Sequence, residues 1–337
     1  MSPDGTDVLY VAVGGDEPRL MCYAIGKDGV GEPSSFVDLP GAPADLAVSP
    51  DKRFLYADIG VDGVHQYLSF RIDAASGALE RIGTPAHVGA YPCYLHVDNS
   101  GRWLLAAYYT DGMVTVHAIG EDGVAGGRVQ QLETAMKAHY IGTDASNRFA
   151  FTPHVGDENA IWQFRFDSRT GQLTANEPCK ASPDPGTGPR HMCFHPNGRF
   201  AFSNGEQGSS VTSWALAPET GTLAALHTLS TLPDGWEGDN TCSQINITAD
   251  GHFVFSCNRG HDSVAAFAVD ADSGGLTALG SFPAQGTPRP LAVAADGTTL
   301  FAAGSALRSY RISASGTLDK LADLDPGPIA WILAVRT

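Results

Sequence analysis

The stretch HPNGRFAFSN, residues 195–204, decides how the chain folds, because it is one of a series. Its Asn197-Gly198 pair favours a tight turn with positive φ, and the aromatic run that follows has strand character. Variants of the same segment stand at SPDGTDVLYVA (2–12), SPDKRFLYAD (49–58), DNSGRWLLAA (98–107) and DASNRFAFTP (144–153). Two more follow it, TADGHFVFSC (248–257) and AADGTTLFAA (294–303). Anchored on their fourth residues (Gly5, Lys52, Gly101, Asn147, Gly198, Gly251, Gly297), the seven copies are spaced by 47, 49, 46, 51, 53 and 46 residues.

A second turn accompanies each copy: DGV (28–30), SGAL (76–79), DGV (122–124), TGQL (170–173), TGTL (220–223), SGGL (273–276) and SGTL (315–318). Its glycine lies 19 to 25 residues after the anchor, with β-type residues on both sides. Each unit therefore holds four short strands and two turns, and only Gln130–Lys137 reads as a short helical turn. Repeats of about 40–50 residues with four strands each indicate a β-propeller. The spacing predicts an all-β, seven-bladed ring over residues 1–337 with no inter-domain linker. The run Ile329–Val335 has no hairpin after it, whereas the first hairpin has no such strand before it. A last blade built from about 326–337 plus 1–41 closes the ring and removes the exposed sheet edges. A closed ring leaves no edge that would demand an oligomer.

Composition agrees with a packed, turn-rich chain. Of 337 residues 43% are hydrophobic, enough for a sizeable core, and Gly 39 with Pro 21 make about 18%. The net charge of −16 argues against nucleic acid or an anionic membrane surface as partner. No apolar run approaches a membrane span, and Met1–Gly5 shows no leader pattern, so a cytoplasmic location is expected. Six cysteines stand singly, as reduced thiols packed like small hydrophobes would.

The meander of a blade places both turn types on one face. The opposite face then carries the second-to-third loops, the blade-to-blade crossings and the start of each innermost strand, where chemistry is to be sought. Eight residues before each anchor stand Ala44, Cys93, His139, Arg190, Ser243 and Arg289; one further along stand Asp45, Tyr94, Tyr140, His191, Gln244 and Pro290. The second-to-third loops add Asn204-Gly205-Glu206 and Asn258-Arg259. His139, Arg190, His191, Glu206, Arg259 and Arg289 are thus expected at one mouth. Guanidinium groups hold carboxylates or phosphates through paired hydrogen bonds, so this mouth suits an anionic, oxygen-rich small molecule. Trp236, in the long crossing 233–240, is a candidate lid. A GxSxG elbow, an HExxH pair, a P-loop and a GxGxxG helix start are all lacking, so neither a metal nor a cofactor is expected.

GPRHMCFHPNGRFAFSN (188–204), Glu206, SSV (209–211), ITADG (247–251) and NRGHDSV (258–264) resemble the bacterial seven-bladed propeller lactonases, relatives of the muconate lactonizing enzymes. The likeness runs through the whole chain and is strongest over residues 184–304. It implies a metal-independent lactonase acting on a sugar or sugar-acid lactone, with 6-phosphogluconolactone the leading substrate. It also implies catalytic roles for His139, Arg190, Glu206 and Arg259. Around them, substrate contacts are expected from His191, Asn204, Gln244, Asn246, Asn258, Arg289 and Trp236. A lactonizing cycloisomerase and a binding propeller without chemistry are the alternatives, the latter because Gln244 and Asn246 stand where relatives often carry an acid and a His.

Overall fold

The computed structural model describes residues 5–337. The Ser2–Asp4 part of the first turn lies outside them. Seven antiparallel sheets form a ring, each a meander whose first strand is innermost. Numbered in chain order, the first six blades begin with Ala42–Val48, Tyr94–Val97, Gly142–Thr143, Pro189–Phe194, Thr241–Ile247 and Leu291–Val293. The seventh joins both ends of the chain. Ile329–Arg336 is innermost, Asp7–Val13 pairs with it through Tyr10 opposite Leu333, and Arg19–Gly26 follows outside.

The second strands explain the continuous apolar runs of the repeat. Phe54–Val61, Trp103–Tyr108 and Phe200–Gly205 lie between neighbouring blades, buried on both faces over most of their length. Outermost strands such as Leu79–His87 are polar and largely exposed. The hydrophobic core therefore lies between blades: Phe255 and Val264 of the fifth blade, for example, pack with Leu300 and Tyr310 of the sixth.

The glycine of the second turn has two reasons to be glycine. Gly123, Gly171, Gly221, Gly274 and Gly316 all have φ between 66° and 84°. Each also lies against the ring that opens the second strand of the preceding blade: Phe54, Trp103, Phe149, Phe200 and Phe253 respectively, with which a Cβ would collide. Arginines after the first turn tie the same joint. The Arg148 guanidinium donates to Pro218 O at 2.6 Å, and that of Arg199 to Ala271 O and Asp272 O at 2.9 and 2.8 Å. Both turn types therefore share one face, and the second-to-third loops and crossings share the other.

Gln130–Lys137 is not a helical turn. Residues 130–133 belong to the outer strand Ala125–Glu133, because the Gln130 amide pairs with the next blade, donating to Leu173 O (2.9 Å) and accepting from Leu173 N (2.7 Å). Helical geometry among the described residues is confined to a single turn, Gly156–Glu158.

Candidate active site

A cavity of about 330 Å³ opens at the loop-and-crossing end of the central channel. Two positions in the repeat build it. Eight residues before the anchor, at the start of the innermost strand, stand Ala44, Cys93, His139, Arg190 and Arg289, all in its wall. Eight residues after the anchor, where the second strand ends, stand Tyr109, Glu206 and Arg259, also in its wall. A rigid frame thus repeats two launch points, and each blade's sequence chooses what to place there.

Glu206 is the carboxylate of the cavity. Its Oε2 lies 2.8 Å from Arg190 Nε, and its Oε1 lies 3.4 Å from an outer nitrogen of Arg259. The closer contact is an ion pair rather than a directed hydrogen bond, since neither Arg190 Nε nor Glu206 Oε2 has a hydrogen-bond partner. Arg190 is almost wholly buried, with 3% of its side chain exposed, and its Nη1 also donates to Ser243 O and to His191 Nε2 (3.1 Å). Since arginine only donates, His191 Nε2 is the acceptor and its ring proton sits on Nδ1, a buried atom without a partner. Arg259 donates to Cys242 O at 2.9 Å and keeps part of its side chain exposed.

Arg289 differs from both. It is exposed, lines the cavity, and among the described residues its guanidinium has neither a carboxylate within ion-pair distance nor a hydrogen-bonded partner. Three guanidinium groups against one carboxylate leave the wall at about +2, inside a chain whose net charge is −16. Low-dielectric walls focus such a field on an anionic ligand.

Burial, reinforced by Arg190, holds the His139 imidazole well below its usual range, with Arg289 and Arg259 acting the same way. Burial and then Arg190 do the same to His191. Both rings are therefore neutral at physiological pH, His139 with its Nδ1 buried and unpartnered. Burial also lowers Arg190 to about 10; Glu206 opposes this, while Arg259 and Arg289 add to it, and the group remains charged near neutrality. Burial pushes the Cys93 thiol up to about 12, so the sulfur at the wall is not a nucleophilic thiolate. Tyr109 packs edge-on against His139, and His139 against His191, each at 5.2 Å between centroids.

Other sequence-selected residues lie elsewhere. Asn204 is an inter-blade strut, accepting from His191 N (3.1 Å) and donating to Ser256 Oγ (3.2 Å). Asn258 is fully buried and fastens the 231–240 crossing through Thr231 and Asn240. Gln244 accepts from Leu291 N at 2.9 Å and, with Asn246, borders a separate hollow at the turn-bearing end of the channel. Trp236 stands edge-on to His261 at 4.5 Å and does not line the cavity. Sequence reading missed Tyr91, Tyr109, Thr110 and Trp331, which do line it. Tyr109 was within reach by counting eight residues forward from Gly101. Among the described residues no three His, Cys, Asp or Glu side chains gather as a metal site, and no helix is long and apolar enough to cross a membrane.

Residues 3–330 match the family described as lactonase, 7-bladed beta-propeller. The chain is 32% identical to the 6-phosphogluconolactonase of Pectobacterium carotovorum subsp. carotovorum, over 95% of this chain and 93% of that one. It is 31% identical to the 6-phosphogluconolactonase of Erwinia tasmaniensis, over 97% and 98% of the two chains. Among solved structures, the periplasmic gluconolactonase of Pseudomonas aeruginosa superimposes with a TM-score of 0.88 at 26% identity, covering 98% of this chain and 99% of that one.

Proposed function

Because the chain belongs to the seven-bladed β-propeller lactonase family, we propose that it hydrolyses a sugar or sugar-acid lactone in the cavity around Glu206, with 6-phosphogluconolactone the leading substrate. The observation that carries this reading is one carboxylate gripped by two arginines beside a third arginine with no partner.

In this mechanism a water is activated by Glu206, whose Oε1 is the oxygen not sealed against Arg190. The water's oxygen bonds to the acyl carbon and its proton passes to Glu206. The outer nitrogens of Arg259 donate to the acyl oxygen as it becomes an oxyanion. When the carbonyl re-forms, the acyl–ring oxygen bond breaks and Glu206 returns the proton to the leaving oxygen. Arg190, tied to Ser243 O and His191, fixes Glu206 in place at the cavity wall. Arg289 supplies an uncommitted guanidinium for the substrate's phosphate or carboxylate. Three guanidinium groups also repel a divalent cation, so no step of this mechanism runs through a metal.

The test is acid release from 6-phosphogluconolactone and from glucono-1,5-lactone, with spontaneous hydrolysis subtracted, on wild type and Glu206→Gln. Hydrolysis of neither lactone by the wild type overturns the reading. A cytoplasmic location is part of the same proposal, supported by six free cysteines, which suit a reducing compartment. Recovery of the protein in a periplasmic extract would contradict it.

A further inference from the structure

In the first blade the position eight residues after the anchor is Gly60, which carries no side chain into the mouth. Its φ is not left-handed, so the glycine serves space rather than backbone. A Cβ there would stand 3.2 Å from Cε1 of His65, whose residue pairs with Gly60 across the hairpin. The imidazole thus lies beside the launch point from which Tyr109, Glu206 and Arg259 extend in other blades, just behind the cavity wall.

His65 is held from beneath. Its Nδ1 lies 2.8 Å from Oδ2 of Asp58, whose side chain is wholly buried. The other Asp58 oxygen, Oδ1, has no hydrogen-bond partner. Burial raises the Asp58 carboxyl to about 6, against the pull of His65. A buried, half-satisfied carboxylate is costly, and its one side-chain partner is this imidazole. The imidazole in turn packs on Tyr91, with centroids 4.8 Å apart and planes tilted by 47°. Tyr91 reaches the cavity wall from the first-to-second blade crossing and is 44% exposed. An aromatic ring that open would be mobile without a support, and ordering it on binding would weaken affinity.

We propose that Asp58 and His65 are a positioning pair that braces Tyr91 as a flat wall of the cavity, against which the ring of a polyhydroxy lactone stacks. Aromatic faces pack against the C–H faces of sugar rings, leaving the hydroxyls free to bond with Thr110, Tyr109 and the arginines at the same mouth. Arg289 shares this mouth with Tyr91, close enough for its charge to act on the phenol, so the ring wall stands near the free cation. This rests on the hydrolytic reading for the substrate class only.

The test measures glucono-1,5-lactone hydrolysis and calorimetric binding of D-glucono-1,5-lactam, a ring analogue that does not hydrolyse spontaneously, for the full chain and for Tyr91→Ala, Tyr91→Phe, His65→Ala, His65→Asn and the Tyr91→Ala/His65→Ala double variant. Tyr91→Ala is expected to raise KM and the lactam Kd about tenfold with kcat within about threefold, and Tyr91→Phe to keep most of the affinity. His65→Ala is expected to raise KM about threefold, with His65→Asn, whose amide can still donate to Asp58, recovering part of it. The double variant should be no worse than Tyr91→Ala alone, because one residue acts through the other. Tyr91→Ala within twofold of wild type in both KM and Kd would overturn the proposal, as would single effects that multiply in full. A wild type that binds the lactam but opens no lactone would remove the hydrolytic reading and leave the wall to be judged by calorimetry. A wild type that binds no lactam would remove the wall.

Discussion

Replacing Glu206 by glutamine keeps the side chain's shape and removes its charge. Two consequences follow, and they are separable. Arg190 is buried and Glu206 is the carboxylate that pairs with it, so the substitution leaves that guanidinium without a counter-charge. Breaking a buried pair costs about 3–5 kcal/mol; an amide oxygen that can still accept reduces this to about 2–3 kcal/mol. With an unfolding entropy of about 2.1 cal/mol/K per residue, a chain of 337 residues loses about 0.7 kcal/mol of stability per kelvin at its midpoint, so the melting temperature should fall by about 3–4 °C. The catalytic loss is larger. A positioned general base contributes about 10²–10⁴ in rate, so kcat/KM on either lactone should fall by at least about a hundredfold when assayed 20 °C or so below the melting point. Glu219→Gln is the matched control, because Glu219 faces Arg148 at 3.7 Å on an open surface and such pairs contribute little. A Glu206→Gln enzyme within threefold of wild type, at unchanged KM, would refute the assignment of the base and with it the reason for the two-arginine grip.

Three further outcomes follow from the same structure. Arg289→Ala should raise KM for the phosphorylated lactone about ten- to hundredfold, with a smaller effect on glucono-1,5-lactone and no change in melting temperature, because Arg289 has no protein partner; equal loss on both substrates would contradict its role. Gly221→Ala combines a left-handed φ of 66° with a collision against the Phe149 ring, and should cost about 2–4 kcal/mol in denaturant titration. Gly198→Ala, with φ 71° and nothing near its Cβ, should cost only about 1 kcal/mol. Acid should destabilise the ring between pH 6.5 and 4. Burial lowers His96, His117 and His154 from 6.5 to about 4, so the stability they confer is complete above 6.5 and is lost as pH falls toward 4. Asp58 and Asp45 work oppositely, since burial raises both, Asp58 to about 6, and makes the folded state gain on acidification, but five histidines, His139 and His191 included, outweigh two carboxyls. A melting temperature that holds steady or rises across this window would contradict the sign.

The ring was legible because its turns demand particular residues. Positive φ and contact with a neighbouring aromatic leave Gly221 or Gly274 little choice, so their spacing survives in the sequence as a ruler. The same ruler brought Arg190, Glu206, Arg259 and Arg289 to one mouth, since each stands a fixed number of residues from its turn. It failed where distance along the chain does not fix height in the channel. Gln244 directly follows Ser243, whose carbonyl meets Arg190, yet its own side chain reaches across to Leu291 N, and Asn246 borders the hollow at the opposite end. Tyr91 escaped notice for a different reason. It sits in a crossing rather than at a launch point, and only its contact with His65 reveals what holds it. Gln130 misled because its side chain serves the neighbouring blade, a tertiary tie that local propensity does not register.

The most direct measurement is a crystal structure of the wild-type protein with 6-phosphogluconate, the product of the leading substrate. The ligand is expected in the cavity lined by Glu206, Arg259 and Arg289, its carboxylate near Arg259, its phosphate on Arg289 and its chain along Tyr91. A ligand seated instead in the hollow bordered by Gln244 and Asn246, or a phosphate that avoids Arg289, would contradict it.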